Sequence, residues 1–408
     1  MRLEARQAPD GAALQALVGI EAQVAEDVAA IVAAVRDGGD AALAGYVERF
    51  DRTGGLALRV SAEELDAAVE ALEPAVRAGL EVAIANVGTV AEAGLASPQE
   101  VRLREGHTVT LREVPVRRAA IYAPGGRNPY PSTVVMGAIT ARAAGVDEVV
   151  VCAPGADPVI LAACRLCGVT EVLRMGGAHA VAALAHGTES IRRVDVIAGP
   201  GSPWVQEAKR QCSDVVGVDG FFGPSDVCVL ASADARADWV AADLLAQAEH
   251  GPGAMALLVS DDEALLDAVE PQLRDAPETG AVAATVLVGS PEEALAVSEA
   301  FAPEHLELVG EGMEALAPQI RAAGCLFVGA EGATAFGDYV AGSNHSLPTG
   351  GAARYASTLN VRHFRRRMSE VRIGAAAEAL AAAGAPIARA EGFPVHAASM
   401  EMRQGGSA

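Results

Sequence analysis

Four short stretches hold side chains that can bind a metal ion or move a proton, each beside a helix end or a tight turn. In "DLLAQAEHGPG", residues 243–253, Gln247 and His250 stand three apart at the end of an apolar helix that Gly251-Pro252-Gly253 terminates. Leu244, Leu245, Ala246 and Ala248 are the expected buried face of that helix. "FAPEHLEL" sets Glu304 beside His305 at a helix-to-strand junction, and "FGDYVAGSNHSLPTGG" carries Asp338 and His345 in a Gly-rich stretch. The C-terminal "ARAEGFPVHAASMEMR" adds Glu391 and His396. Oxygen and imidazole donors together suit zinc or a harder divalent ion, and a Glu-His pair suits general acid-base work. Each stretch alone has a plainer explanation. A helix-end histidine complements the macrodipole, a loop aspartate bonds its own backbone, and a Glu-His pair or a tail histidine is often solvated. Their convergence on element ends of one α/β unit and its tail favours chemistry.

The surrounding pattern supplies the elements that position them. The first hundred residues read as amphipathic helices, "GIEAQVAEDVAAIVAAVRDGG" among them, followed by the polar, strand-like "VRLREGHTVTLREVPV". From residue 119, short apolar strands alternate with helices: "AAIYAP", a helix that Ser132 is expected to cap, "EVVVCAP", "EVLRMGG", and "VDVIAGPG" before a helix with Ser202 at its N-cap and Pro203 at N1. A second α/β run begins at "SDVCVLAS" and continues through "AMALLVS", "ATVLVGS", "HLELVG" and "CLFVGA". The expected fold is α/β, with two doubly wound, Rossmann-like domains, N-terminal helices and a small helical C-terminal tail. The expected limits are 1–115 for the N-terminal region, 116–224 and 225–358 for the α/β domains, and 359–408 for the tail. Ligands in such folds are expected beyond the strand C-termini.

Composition narrows the class. The 408 residues are 51% hydrophobic with a net charge of −22, which opposes nucleic acid or an anionic membrane as partner and is otherwise a device for solubility. Lys209 is the one lysine, and neither G-x-x-x-x-G-K-[ST] nor G-x-G-x-x-G occurs. Cys164 and Cys167 have metal-like spacing without a second pair and fall mid-helix, so a structural role is expected for them. No secretory apolar segment follows Met1, and no run of apolar residues spans a bilayer. A reduced, cytoplasmic enzyme is expected. The short basic patch "RHFRRRM" is read as a solvated face or a bridge to acidic surface.

From about residue 30 onward the chain resembles the histidinol dehydrogenase family. The resemblance is carried in order by "IYAPGG", "GVTEVLRMGGAHAVAALAHGTES", "IAGPG", "EAKRQ", "GPSDV", "DLLAQAEHGP", "APEHLEL", "GDYVAGSNHSLPT" and "EGFPVHAASMEMR". It implies one zinc ion per subunit, held by Gln247, His250, Asp338 and His396, the last reaching across to the other subunit of a homodimer with shared active sites. It implies His305 as the base for the first oxidation and Glu304 as the residue that activates water for the second. Ser225, His345 and Glu391 match substrate contacts, as do the zinc ligands and His305, and Tyr122 matches a contact to NAD. Ser225 also has a plainer reading as a loop cap.

The implied reaction is L-histidinol, two NAD and water giving L-histidine through the aldehyde, the last step of histidine biosynthesis. The cofactor side departs from the family: His179 stands where glutamine is usual and Ser202 where asparagine is usual. The segment before Ser225 is shorter and carries Phe221 and Phe222. Two alternatives stay open. One is a related zinc- and NAD-dependent dehydrogenase of another small polyol or sulfonated alcohol; the other is a catalytically silent zinc- or nucleotide-binding regulator.

Overall fold

The computed structural model describes residues 1–17, 24–51, 53–125 and 128–404. In chain order the strands are β1 (Arg2–Glu4), β2 (Gln99–Arg102), β3 (Thr108–Pro115), β4 (Arg118–Tyr122), β5 (Glu148–Cys152), β6 (Glu171–Leu173) and β7 (Val196–Ala198). They continue with β8 (Gly217–Val218), β9 (Asp226–Ala231), β10 (Met255–Ser260), β11 (Val282–Leu287), β12 (His305–Val309), β13 (Cys325–Val328) and β14 (Arg365–Arg372). The chain forms two compact units, one of residues 1–94 with 116–364 and one of residues 95–115 with 365–408.

The larger unit holds two parallel sheets, ordered β6-β5-β4-β7-β8 and β1-β11-β10-β9-β12-β13. Setting β1 aside and numbering the strands of each sheet in sequence, both follow the order 3-2-1-4-5. This is a doubly wound arrangement whose winding reverses beside its first strand. Their strands are continuous apolar runs because both faces are covered. Alternate residues of β4 enter opposite cores, Ala119 and Ile121 on one side, Ala120 and Tyr122 on the other. In β9, Val227 and Val229 point one way, Cys228 and Leu230 the other. Burying each such large apolar side chain contributes roughly 1.5–3 kcal/mol.

Several local expectations change. The N-terminus contributes more than helices, because β1 adds a parallel edge strand to the second sheet beside β11. The helix expected from Gly19 is seen as Ala25–Tyr46, and residues 19–23 lie outside those described. Gly126 of "IYAPGG" does so as well. Ser132 does not cap its helix: Tyr130 is the N-cap of Pro131–Ala143, Pro131 takes N1, and Ser132 is buried within the first turn. Cys164 and Cys167 are buried and unbridged, as expected of packing residues. Among the described residues, no helix is long and apolar enough to cross a membrane.

The smaller unit is an antiparallel sheet, β14-β3-β2, with helices Ala377–Ala390 and Pro394–Glu401 packed on each other through Ala385, Ala388 and Ala397. The tail therefore supplies a strand as well as its helices. Part of the basic patch lies in β14, where Arg367 pairs with Glu113 of β3 at 3.0 Å.

Candidate active site

The two sheets gather polar side chains at opposite edges. In the second sheet, Asp226 and His305 open β9 and β12, and the ladder sets His305 beside Val227 and Cys325. Helix Ala237–Ala248 returns antiparallel to β9, so its end brings Gln247 and His250 to the same strand starts. Helix Thr334–Tyr339, following β13, brings Asp338. This cluster thus lies at the N-terminal edge of the sheet, contrary to the expectation of the C-terminal edge. Its side chains come from strand starts and helix ends rather than from the loops that follow the strands.

Gln247, not Ala246, shares the buried face of its helix with Leu244 and Ala248, while Ala246 is exposed and Leu245 half-buried. The amide Nε2 of Gln247 donates to Ser225 Oγ at 2.9 Å, which leaves its carbonyl oxygen unengaged by that bond. His250, His305 and His345 share one device. Each has Nδ1 against a backbone carbonyl, of Gln247 at 3.2 Å, Asp226 at 3.2 Å and Asp338 at 3.0 Å. A carbonyl only accepts, so Nδ1 carries the hydrogen and the neutral ring presents its lone pair at Nε2. For His345 that lone pair faces the Thr133 hydroxyl at 3.3 Å. For His305, whose ring is charged in the absence of metal, Nε2 instead carries a hydrogen directed at Asp338 Oδ1, 3.5 Å away.

Glu304 and His305 are both buried, and Asp226 fixes them. Its amide donates to Glu304 Oε2 at 3.0 Å, and its Oδ1 accepts the Glu304 amide at 2.7 Å. Burial pushes Glu304 up to about 7 and Asp226 up to about 6. For His305 burial pulls downward, but the carboxylates of Glu304 and Asp338 outweigh it and hold the ring up at about 9. Burial likewise raises Asp338, yet the His305 imidazole outweighs it and keeps that carboxyl below its usual range. Asp226 is the residue that sequence reasoning missed. Its signal lies in "GPSDV", where an acid opens an otherwise apolar strand.

Gln247, His250 and Asp338 line one small cavity of about 180 Å³, rimmed by the exposed rings of Tyr130 and Tyr339. An amide oxygen, an imidazole nitrogen and a carboxylate suit a divalent ion short of one donor. No three His, Cys, Asp or Glu side chains converge on a metal position among the described residues. Glu391 and His396 belong to the smaller unit; both are exposed, and the Phe393 ring lies 5.2 Å from that of His396.

The first sheet uses its C-terminal edge. A cavity of about 1000 Å³ there is lined by Tyr122, Gly176, Gly177, His179, Ser202 and Trp204, among others. Tyr122 Oη accepts the Gly177 amide at 2.9 Å, and Gly177 takes φ +65° to begin helix Gly177–His186. At Gly199 a Cβ would collide with the Tyr122 carbonyl, so only glycine lets β7 leave the sheet so close to β4. His179 is buried in a three-ring cluster with Tyr46 and Phe50, with Nε2 2.8 Å from the buried carboxylate of Asp51. Asp51, 128 residues away in sequence, was not legible as its partner. Ser202 is the N-cap of helix Pro203–Cys212, as expected, but through its carbonyl rather than its side chain.

Beneath this loop lies Lys209, fully buried, its Nζ bonded to Gly199 O at 3.0 Å and to Asp219, with the Phe222 ring 4.9 Å away. Phe222 therefore packs over the buried cation, while Phe221 stays exposed.

The histidinol dehydrogenase family model matches residues 18–404. The chain belongs to the histidinol dehydrogenase family. It is 42% identical over 406 residues to the histidinol dehydrogenase of Rhizobium meliloti, covering 93% of each chain. It is 42% identical over 392 residues to that of Parasynechococcus marenigrum, covering 91% of this chain and 89% of the other. The crystal structure of histidinol dehydrogenase from Elizabethkingia anophelis superposes with a TM-score of 0.89 at 28% identity, covering 99% of this chain and 98% of that one. Members of this family are oxidoreductases, and the α/β architecture is the one the sequence pattern predicts.

Proposed function

We propose that this chain is a cytoplasmic homodimeric enzyme that oxidises L-histidinol to L-histidine with two NAD. The observation that carries the proposal is the buried Glu304–His305 pair, latched by Asp226 and set against Asp338 and Gln247. Gln247 through its amide oxygen, His250 through Nε2 and Asp338 would hold zinc, with the partner subunit's His396 completing the set. Zinc, when bound, supplies a positive charge that offsets Asp338 and accepts the imidazole and amine nitrogens of histidinol. Exposed Ile387, Phe393, Val395 and Met402 beside His396 give the smaller unit an apolar surface suited to a second copy.

With Asp338 engaged by the metal, His305 would lose its Nε2 proton, keep its hydrogen on Nδ1, and take the substrate hydroxyl proton at Nε2 as hydride leaves the carbinol carbon for NAD. The products are the aldehyde and NADH. Glu304, held near neutrality by burial, takes a proton from water as the oxygen adds to the aldehyde carbon. As the hydrate forms, His305 returns its proton to the former carbonyl oxygen. The hydrate then loses a second hydride to a second NAD and a hydroxyl proton to His305 Nε2. The carboxyl group, Glu304 and His305 release their protons to solvent, giving the carboxylate. Ser225, bonded to Gln247, is positioned to order both the metal donor and the substrate. His345 backs Asp338, and the partner subunit's Glu391 would pair with a cationic part of histidinol. NAD is assigned to the large cavity of the first sheet, where Tyr122 holds the helix start while His179 and Ser202 line the wall. Four glycines, Gly125, Gly155, Gly176 and Gly177, admit close backbone approach there.

The test is NADH formation by purified protein with L-histidinol and NAD, before and after chelation and zinc restoration. Two NADH per histidinol, lost on chelation and regained with zinc, are expected. No turnover by intact zinc-loaded protein would reject histidinol and leave another small alcohol as substrate.

A further inference from the structure

Beneath the level of Gln247, His305 and Asp338 lies a second polar level that the proposed chemistry does not use. The same three elements build both. β12 supplies His305 and, two residues on, Glu307; helix Ala237–Ala248 supplies Gln247 and, one turn earlier, Asp243; helix Thr334–Tyr339 supplies Asp338 and, one turn earlier, Thr334. Alternate strand residues share a face, as do helix residues four apart, so the two levels stack like rungs. Val309, next on that face of β12, enters the core that helix Ala237–Ala248 covers.

Glu307 is 1% exposed in the middle of β12, a strand paired on both sides in a parallel sheet, where an aliphatic side chain is the ordinary occupant. Its Oε1 accepts both the amide of Thr334, at 2.8 Å, and the Thr334 hydroxyl, at 2.6 Å. Those bonds clamp the start of the helix whose next turn carries Asp338. Glu307 Oε2 is buried and meets no N–H or O–H donor among the described residues. The group that reaches Glu307 from the other helix is the carboxyl of Asp243. Two carboxylates have no hydrogen to share, so a bond between them requires a proton on one acid. Burial favours that proton, raising both carboxyls above their usual range.

We propose that Asp243, Glu307 and Thr334 form a positioning rung that fixes the spacing of the two helices carrying Gln247 and Asp338, and so the metal donors relative to His305. It deepens the zinc assignment above and rests on it. Through its two oxygens the acid at position 307 ties both helices to one strand. Asp243 and Thr334 reach the small cavity that Gln247, His250 and Asp338 line, whereas Glu307 stays behind it and acts through them.

The test compares Glu307→Ala with Glu307→Gln, whose amide can donate to Asp243 while its oxygen still accepts from Thr334. Zinc affinity is measured by competition with a chromophoric chelator, and donor geometry by the visible spectrum of the cobalt-loaded protein. Glu307→Ala should bind zinc at least about tenfold more weakly, the range typical of outer partners of metal ligands. Its cobalt spectrum should change, while its KM for NAD should not. Glu307→Gln should restore both affinity and spectrum. A folded Glu307→Ala with wild-type affinity and spectrum would overturn the rung, as would Glu307→Gln failing as badly as Glu307→Ala. If Glu307→Ala does not fold, Thr334→Val, which keeps the backbone N–H, should weaken zinc about fivefold; no change in affinity or spectrum there overturns the proposal. Wild-type protein that takes up no zinc removes the metal assignment and the rung together. Wild type that takes it up, matched by Glu307→Ala, removes the rung alone.

Discussion

The two parallel sheets of the larger unit share one strand order, yet they gather their candidate site residues at opposite edges. At the C-terminal edge of the first, helices Pro131–Ala143, Pro158–Leu166, Gly177–His186 and Pro203–Cys212 all begin, and their starts line or border the large cavity. Helix starts offer free N–H groups and partial positive charge, which suits the pyrophosphate of a dinucleotide. At the N-terminal edge of the second, helices Ala237–Ala248 and Thr334–Tyr339 end. Helix ends offer carbonyls and partial negative charge, which suits a cation. One topology thus provides two electrostatically opposite platforms. The polarity of the edge, rather than the fold, selects what each can hold.

The sharpest way to break this contrast is to remove the proposed base. His305→Asn should lower kcat by roughly 10²–10⁴-fold, the typical contribution of a general base. Zinc content and the KM for NAD should stay unchanged. A zinc-loaded variant turning over near the wild-type rate would deny the second edge its chemistry. Next, His250→Ala should cost zinc affinity by more than the roughly 10–100-fold of an outer partner, with NAD binding intact by fluorescence titration; a parallel loss of NAD binding would show that the edges are not separable.

On the other edge, Asp51→Ala strips the buried His179 of its partner, a cost of about 1–3 kcal/mol. The KM for NAD should rise correspondingly, about 5- to 150-fold if the whole cost falls on binding, while zinc affinity holds. Unchanged KM would detach that pair from the cofactor.

The smallest expected effect is on the metal-free protein. His305 sits near 9 in the fold against an ordinary 6.5, so its contribution to stability is fully present below 6.5 and is lost as pH rises through 9. Over that window the melting temperature of metal-free wild type should fall a few degrees more than that of His305→Asn. Parallel curves would mean that Glu304 and Asp338 do not hold the ring charged.

Much of this was legible in the chain. "EVVVC" and "AMALLVS" read as buried strands because both faces of a parallel sheet are covered, and the Gln247–His250 and Glu304–His305 pairs stand out at element ends. What escaped were features that exist only once distant segments meet. Asp226 looks like part of a strand until it touches Glu304, 78 residues on. Asp51 gains meaning only against His179. β14 reads as a basic patch because an antiparallel strand in a small sheet needs no apolar run. The edge on which the second cluster sits depends on which way helix Ala237–Ala248 returns, and that direction is written in the packing.

Lys209 has a practical corollary. The chain's one lysine is fully enclosed beneath the loop that borders the large cavity of the first sheet. The native fold therefore exposes no side-chain amine to acylating or aldehyde reagents. Acylation at this position would report, molecule by molecule, how often that loop lifts away, and saturation of the cavity by a dinucleotide should slow it.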